Sequence, residues 1–149
     1  MRAVILDNLR SAYNVGSIMR SALALGYDEV ALCGVSILPP APKLMKTSRG
    51  ADRKLTWKGY LKTPDAINRL RERGFAIHAL ESGQDAQPVG AQPRPEHLAW
   101  VVGNEAHGLG EEILALCDRI ETLPMRPGLD SINVACAFTA AAYLDLQSR

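Results

Sequence analysis

Rings are scarce in this chain: two phenylalanines, two tryptophans and four tyrosines in 149 residues. No broad platform of stacked aromatics can carry a nucleic-acid site. One-sided charge is absent too, since 17 Lys+Arg stand against 16 Asp+Glu for a net charge of +1. A polyanion would have to be met by a local cluster. No apolar run reaches the 18 residues that a membrane span needs, and Asp7 and Arg10 interrupt the N-terminal apolar run before it could serve as a signal-peptide core. A cytoplasmic protein is expected. The three cysteines (Cys33, Cys117 and Cys136) form no C-x-x-C pair, each sits among apolar residues, and none shares a ligand spacing with His78, His97 or His107. That pattern argues against a disulfide scaffold and against a metal site.

What remains is an ordinary globular composition, 47% hydrophobic and 22% charged, of a length that suits one domain over 1–149. Apolar segments alternate with helical patterns. Strands are expected at Ala3–Leu6, Glu29–Cys33, Lys54–Trp57, Phe75–Leu80, Leu98–Val102 and Ile120–Leu123. Helices are expected from an Asn14 cap to Leu25, near Leu44, from a Thr63 cap to Arg73, over Glu111–Cys117, and from a Ser131 cap to Leu146. This alternation predicts an α/β fold with a mostly parallel sheet and helices on both faces. Ligands bind such sheets at the carboxyl ends of strands, here the loops after Leu80, Val102 and Leu123.

Three loops carry polar residues that their elements do not need. In the first, Asn14 and Arg20 flank Gly16 at the start of a helix, a combination suited to an anion such as phosphate. The second runs from Val101 to Gly110 and holds Gly103, Asn104, Glu105, His107 and Gly108; it lacks both the P-loop lysine and the G-x-G-x-x-G order. His107 is placed where it could act as a base. In the third, Leu123-Pro124-Met125 leads to Ser131-Ile132-Asn133, where Asn133 is a poor residue for a first helical turn.

The order N-x5-R, G-N-E-x-x-G-L, L-P-M-x5-S-I-N-V resembles the three signature motifs of the SpoU (TrmH-like) family of SPOUT RNA methyltransferases, over essentially the whole chain. Ile132 stands where the family usually has leucine. The resemblance implies an α/β-knot with a C-terminal trefoil knot, a homodimer, and S-adenosylmethionine as cofactor. It places the cofactor against Leu80, Gly103, Asn104, Gly108, Leu123, Met125 and Ile132. It implies methyl transfer to a ribose 2′-hydroxyl of RNA, with Arg20 as the residue nominated for catalysis and Asn14, Glu105, Ser131 and Asn133 shaping the site. A guanidinium is effectively never neutral in a protein, so Arg20 is expected to orient a phosphate and stabilise a developing alkoxide.

RNA binding needs cations, and the segment 43–62 supplies Lys43, Lys46, Arg49, Arg53, Lys54, Lys58 and Lys62 against the single acid Asp52. The last helix, apolar on more than one face through Val134, Phe138, Ala141 and Leu144, suits burial on two sides, as in a dimer. No appended RNA-binding domain is expected, which makes tRNA the first candidate substrate and ribosomal RNA the second. Two other classes stay open: a base-nitrogen methyltransferase of the same superfamily, which the N-x5-R and S-I-N pair disfavours, and a non-catalytic RNA-binding factor, which the filled motif positions disfavour.

Overall fold

A computed structural model describes residues 1–129 and 131–148; Asp130 of the third motif and the terminal Arg149 lie outside that description. The elements run β1 (Arg2–Asp7), α1 (Ala12–Ala24), β2 (Glu29–Cys33), α2 (Pro42–Ser48), α3 (Ala51–Lys54), β3 (Thr56–Tyr60), α4 (Thr63–Glu72), β4 (Ala76–Leu80), β5 (Gln87–Pro88), β6 (Leu98–Val102), α5 (Glu111–Leu114), β7 (Arg119–Thr122) and α6 (Val134–Gln147). All strand pairs are parallel, in the order β3-β2-β1-β6-β4-β7-β5. The strands β1 and β6 are buried along their whole length, which is why Ala3–Leu6 and Leu98–Val102 read as unbroken apolar runs.

Alternation along each strand divides the core between the two faces. Val4, Leu6, Val30, Leu32, Trp100 and Val102 meet residues of α1, α2, α3 and α6 on one face. Ala3, Ile5, Ala31, Ile77, Ala99 and Val101 meet α4 and α5 on the other. Two buried ion pairs fasten this frame. Arg2 Nε donates to Asp145 Oδ2 at 2.8 Å, joining the first strand to the last helix. Arg94 Nη1 donates to both Glu121 oxygens at 2.9 and 2.8 Å, with His78 Nδ1 2.7 Å from Glu121 Oε1. Burial raises the Glu121 carboxyl, but hydrogen bonds from His78 and Arg94 outweigh it and hold the group below the usual carboxylate range.

Several local expectations are corrected. The cap of α1 is Ser11, whose Oγ accepts from Asn14 N at 3.2 Å, so Asn14 stands inside the first turn with its amide free for other bonds. Gly16 serves packing rather than an anion: a Cβ there would collide with Thr47 Oγ1 and the Leu44 carbonyl, so glycine lets α1 and α2 touch. Thr63 does not cap α4; it is the first helical residue, and its hydroxyl donates to the buried Asp7 carboxylate instead. The strand expected at Lys54–Trp57 begins at Thr56, because Lys54 closes α3 and the ladder with β2 sets Val30 beside Trp57. Ser131 does not cap α6. Asn133 does, its Oδ1 accepting from Ala135 N at 2.9 Å and Cys136 N at 3.2 Å.

Candidate active site

The three strands whose following loops were singled out, β6, β4 and β7, are neighbours in the sheet. Register sets Leu80 beside Val102 and Glu121, so Leu80, Gly103 and Leu123 leave the sheet at nearly one level. Leu80 and Leu123 are half-buried, whereas Met125 and Ile132 are exposed on the segment between β7 and α6. The loop after β6 folds back on itself: Asn104 and Gly108 form an antiparallel bridge, and Gly108 N donates to Asn104 O at 2.9 Å. Entry and exit of that loop touch backbone to backbone, since a Cβ on Gly103 would strike the Gly108 carbonyl group and Leu109 N. Gly108 itself sits at φ +64°, in the left-handed region.

Side chains tie this loop to its surroundings. Asn104 Nδ2 donates to Asn8 O at 2.7 Å, while its Oδ1 accepts from Ala106 N at 2.9 Å and His107 N at 3.3 Å. Glu105 Oε1 accepts from Ser11 N at 3.1 Å and Asn14 Nδ2 at 3.2 Å. Asn14 Oδ1 in turn accepts from Asn133 Nδ2 at 3.0 Å. Each amide orientation is forced by the next: the carboxylate fixes Asn14, and the helix N–H groups fix Asn133. Partial burial raises the Glu105 carboxyl; backbone and Asn14 hydrogen bonds outweigh that, leaving it below the usual range.

Asn14, Glu105 and Asn133, far apart in sequence, thus form one hydrogen-bonded chain. Arg20 and Ser131 stand outside it. Arg20 is exposed, about 9 Å further along α1 and about 120° around it from Asn14, on the side that Gly16 turns to α2. Ser131 is exposed, and so is His107, whose backbone N–H donates to Asn104 Oδ1. Sequence reasoning missed Ser11, Asn8 and Glu81, all of which hold the motif loops. Asn8 has φ +55° and follows a buried strand, a position where asparagine is favoured among non-glycine residues.

The cations Lys43, Lys46, Arg49, Arg53 and Lys54 are all exposed on α2, α3 and the turn between them. Arg53 and Lys54 lie toward the amino end of the sheet, where β3 begins with Thr56 beside Glu29. Asp52 turns inward to accept from Ser48 Oγ, and Trp57 spends its indole N–H on Asp52 O at 3.2 Å. The stripe is therefore basic without an exposed ring from Trp57. Among the described residues no three His, Cys, Asp or Glu side chains gather as metal ligands, and no helix is long and apolar enough to cross a membrane.

Residues 1–143 match the SpoU rRNA Methylase family. The chain belongs to that family. Its members are RNA methyltransferases that use S-adenosylmethionine, and this chain is one of them. The tRNA (guanosine(18)-2′-O)-methyltransferase of Thermus thermophilus is 29% identical over 134 residues, 90% of this chain and 68% of that protein. The SpoU methyltransferase AviRb from Streptomyces viridochromogenes, in complex with AdoMet, superposes with a TM-score of 0.90 at 26% identity, over 97% of this chain and 59% of that one. A structure concerned with 2-OH methylation of C/U34 on tRNA superposes with a TM-score of 0.85 at 25% identity, over 100% of this chain and 98% of that one. The chain thus spans about three fifths of AviRb and nearly all of the third protein.

Proposed function

We propose that this SpoU-family chain transfers a methyl group to a ribose 2′-hydroxyl of tRNA, and that residue 34 is the target nucleotide. The observation that carries the reading is the Glu105–Asn14–Asn133 chain, which joins one residue from each of the three motifs beside the strand ends. The near-complete overlap with the protein of the C/U34 reaction favours tRNA and that position. The family's description as rRNA methylases keeps ribosomal RNA as the second reading. A base-nitrogen acceptor is disfavoured because the Thermus thermophilus relative and the protein of the C/U34 reaction are named for methylation of a 2′-oxygen.

The strand ends fit the cofactor chemically. Half-buried Leu80 and Leu123 with exposed Met125 and Ile132 offer apolar faces, and the backbone of Gly103, Asn104 and Gly108 offers close approach. S-adenosylmethionine supplies an electrophilic methyl group when bound there. Asn14, Glu105 and Asn133 hold the motif loops in register, and Ser131 adds an exposed hydroxyl beside Ile132. Arg20 orients an RNA phosphate and stabilises charge developing on the 2′-oxygen as its proton passes to solvent water. Lys43, Lys46, Arg49, Arg53 and Lys54 grip the backbone of the RNA.

Two further features belong to this reading. The first is a trefoil knot formed by the C-terminal segment, supported by the insertion of β6 between β1 and β4 and by Val89, of the 81–97 segment, packing in the same core cluster as α6. The second is a homodimer. A groove of about 540 Å³ between α1 and α6, lined by Tyr13, Ser17, Leu25, Cys136, Ala140 and Tyr143, suits a second copy of the chain, with Leu144 also exposed nearby on α6. The enzyme is assigned to the cytoplasm, where tRNA is processed. Arg20→Ala tests the catalytic assignment. It is expected to abolish transfer and leave S-adenosylmethionine affinity within about twofold, because the arginine contacts RNA and not the cofactor. Near-normal turnover would remove Arg20 from the reaction.

A further inference from the structure

Glu81 belongs to none of the three motifs, yet it stands where β4 ends and meets both β7 and the segment that leaves β6. It follows the last residue of β4, and its N–H extends the ladder by donating to Glu121 O of β7 at 3.0 Å. Its Oε2 accepts from Leu109 N at 2.9 Å, on the far side of the folded loop after β6. Its Oε1 accepts from Ser82 N at 2.9 Å. The same carboxylate lies so close under Gly108 that a Cβ there would collide with Oε2. Asn104 pins the loop to Asn8, just past β1, and Glu105 pins it to the start of α1; among the described residues, the side-chain tie to the end of β4 is made by Glu81.

We propose that Glu81 is a positioning residue for the cofactor: it sets the Gly108–Leu109 peptide against the end of β4 and so fixes the spacing between the loops that follow β4 and β6. The inference rests on the cofactor reading given above. That reading sets both Leu80 and Gly108 against the cofactor, and a carboxylate carried by the residue after Leu80 and bonded to the N–H of the residue after Gly108 controls how far apart they stand. A half-buried carboxylate suits the task, since hydrogen bonds to a charged acceptor are stronger than neutral ones.

The test compares wild type, Glu81→Ala and Glu81→Gln by calorimetric titration with S-adenosylmethionine, by steady-state kinetics and by amide hydrogen exchange at Leu109. Glu81→Ala removes the acceptor. It is expected to weaken binding about tenfold and raise KM for the cofactor in step, with kcat at saturation held within about twofold. Glu81→Gln keeps a carbonyl oxygen for Leu109 N–H and is expected to recover binding to within about threefold of wild type. Exchange at Leu109 should quicken in the alanine variant and not in the glutamine variant. Unaltered affinity in a folded Glu81→Ala protein would overturn the inference while leaving the cofactor reading intact. So would a glutamine variant as weak as the alanine one with Leu109 still protected, which would make Glu81 a charged ligand group instead. Wild-type protein that fails to bind S-adenosylmethionine would overturn the cofactor reading, and the inference with it.

Discussion

Asn14 illustrates how one side chain can bind two distant segments. Its Nδ2 reaches Glu105 and its Oδ1 receives Asn133, so it needs both a donor and an acceptor at fixed positions. Aspartate would place a second carboxylate against Glu105, and alanine would release both partners. Asn14→Ala is expected to lower kcat/KM about 10²-fold through misplacement of the motif loops, a loss that steady-state kinetics reads directly. The same change removes a bond that holds the Glu105 carboxyl low. The folded value lies below the ordinary one, so the contribution of ionised Glu105 is complete above the ordinary carboxylate range. It is lost as pH falls through that range toward the folded value. In Asn14→Ala the acid limb of the activity profile should therefore move to higher pH; a limb that stays put would separate Glu105 from the reaction.

Elements carry the charge and the anchoring. The stripe on α2 and α3 holds Lys43, Lys46 and Arg49 on the exposed side of the layer over α1. Reversing these three to glutamate is expected to weaken tRNA binding and flatten the slope of log K against log salt, each lost phosphate contact removing roughly one unit or less of slope. Cofactor affinity should not change, and an unmoved salt slope would place the RNA elsewhere. On the other side of the sheet axis, Arg94 closes a buried cluster with Glu121 and His78 and stacks over Trp100 with its guanidinium 5.5 Å from the ring centroid. Arg94→Met leaves a buried carboxylate short of its main partner and is expected to cost about 3 kcal/mol, read as a lower urea midpoint. Elements were the most legible level of the sequence. Buried parallel strands show as apolar runs, and Leu98–Val102 was placed to the residue. Caps were less legible, because Ser11, Asn14, Thr63, Ser131 and Asn133 all have side chains able to cap. Which of them does so depends on partners 50 to 120 residues away, such as Asp7 for Thr63.

At the scale of the whole molecule, the strand order brings together what the chain keeps apart. Insertion of β6 between β1 and β4 sets the Asn104–Gly108 loop beside the start of α1, and parallel pairing delivers Leu80, Gly103 and Leu123 to one edge. The three motifs could be found in the sequence, and their convergence could be inferred from the rule for parallel sheets. The supporting residues could not. Asn8 contributes a backbone carbonyl, and Glu81 acts through a peptide 28 positions away, so neither leaves a pattern that spacing reveals. The exposed groove between α1 and α6 is expected to be covered in solution. Light scattering at micromolar concentration should give the mass of a dimer, and Tyr143→Lys, which puts a charge in that groove, should shift the protein toward the monomer.

The account turns on methyl transfer to ribose, and labelled methyl from S-adenosylmethionine offered to separated tRNA and rRNA fractions tests it most directly. Label in tRNA, recovered in a nuclease-resistant dinucleotide that contains residue 34 and lost with Arg20→Ala, is the expected result. Label on a base nitrogen, or no label in either fraction from protein that binds no cofactor, would contradict it.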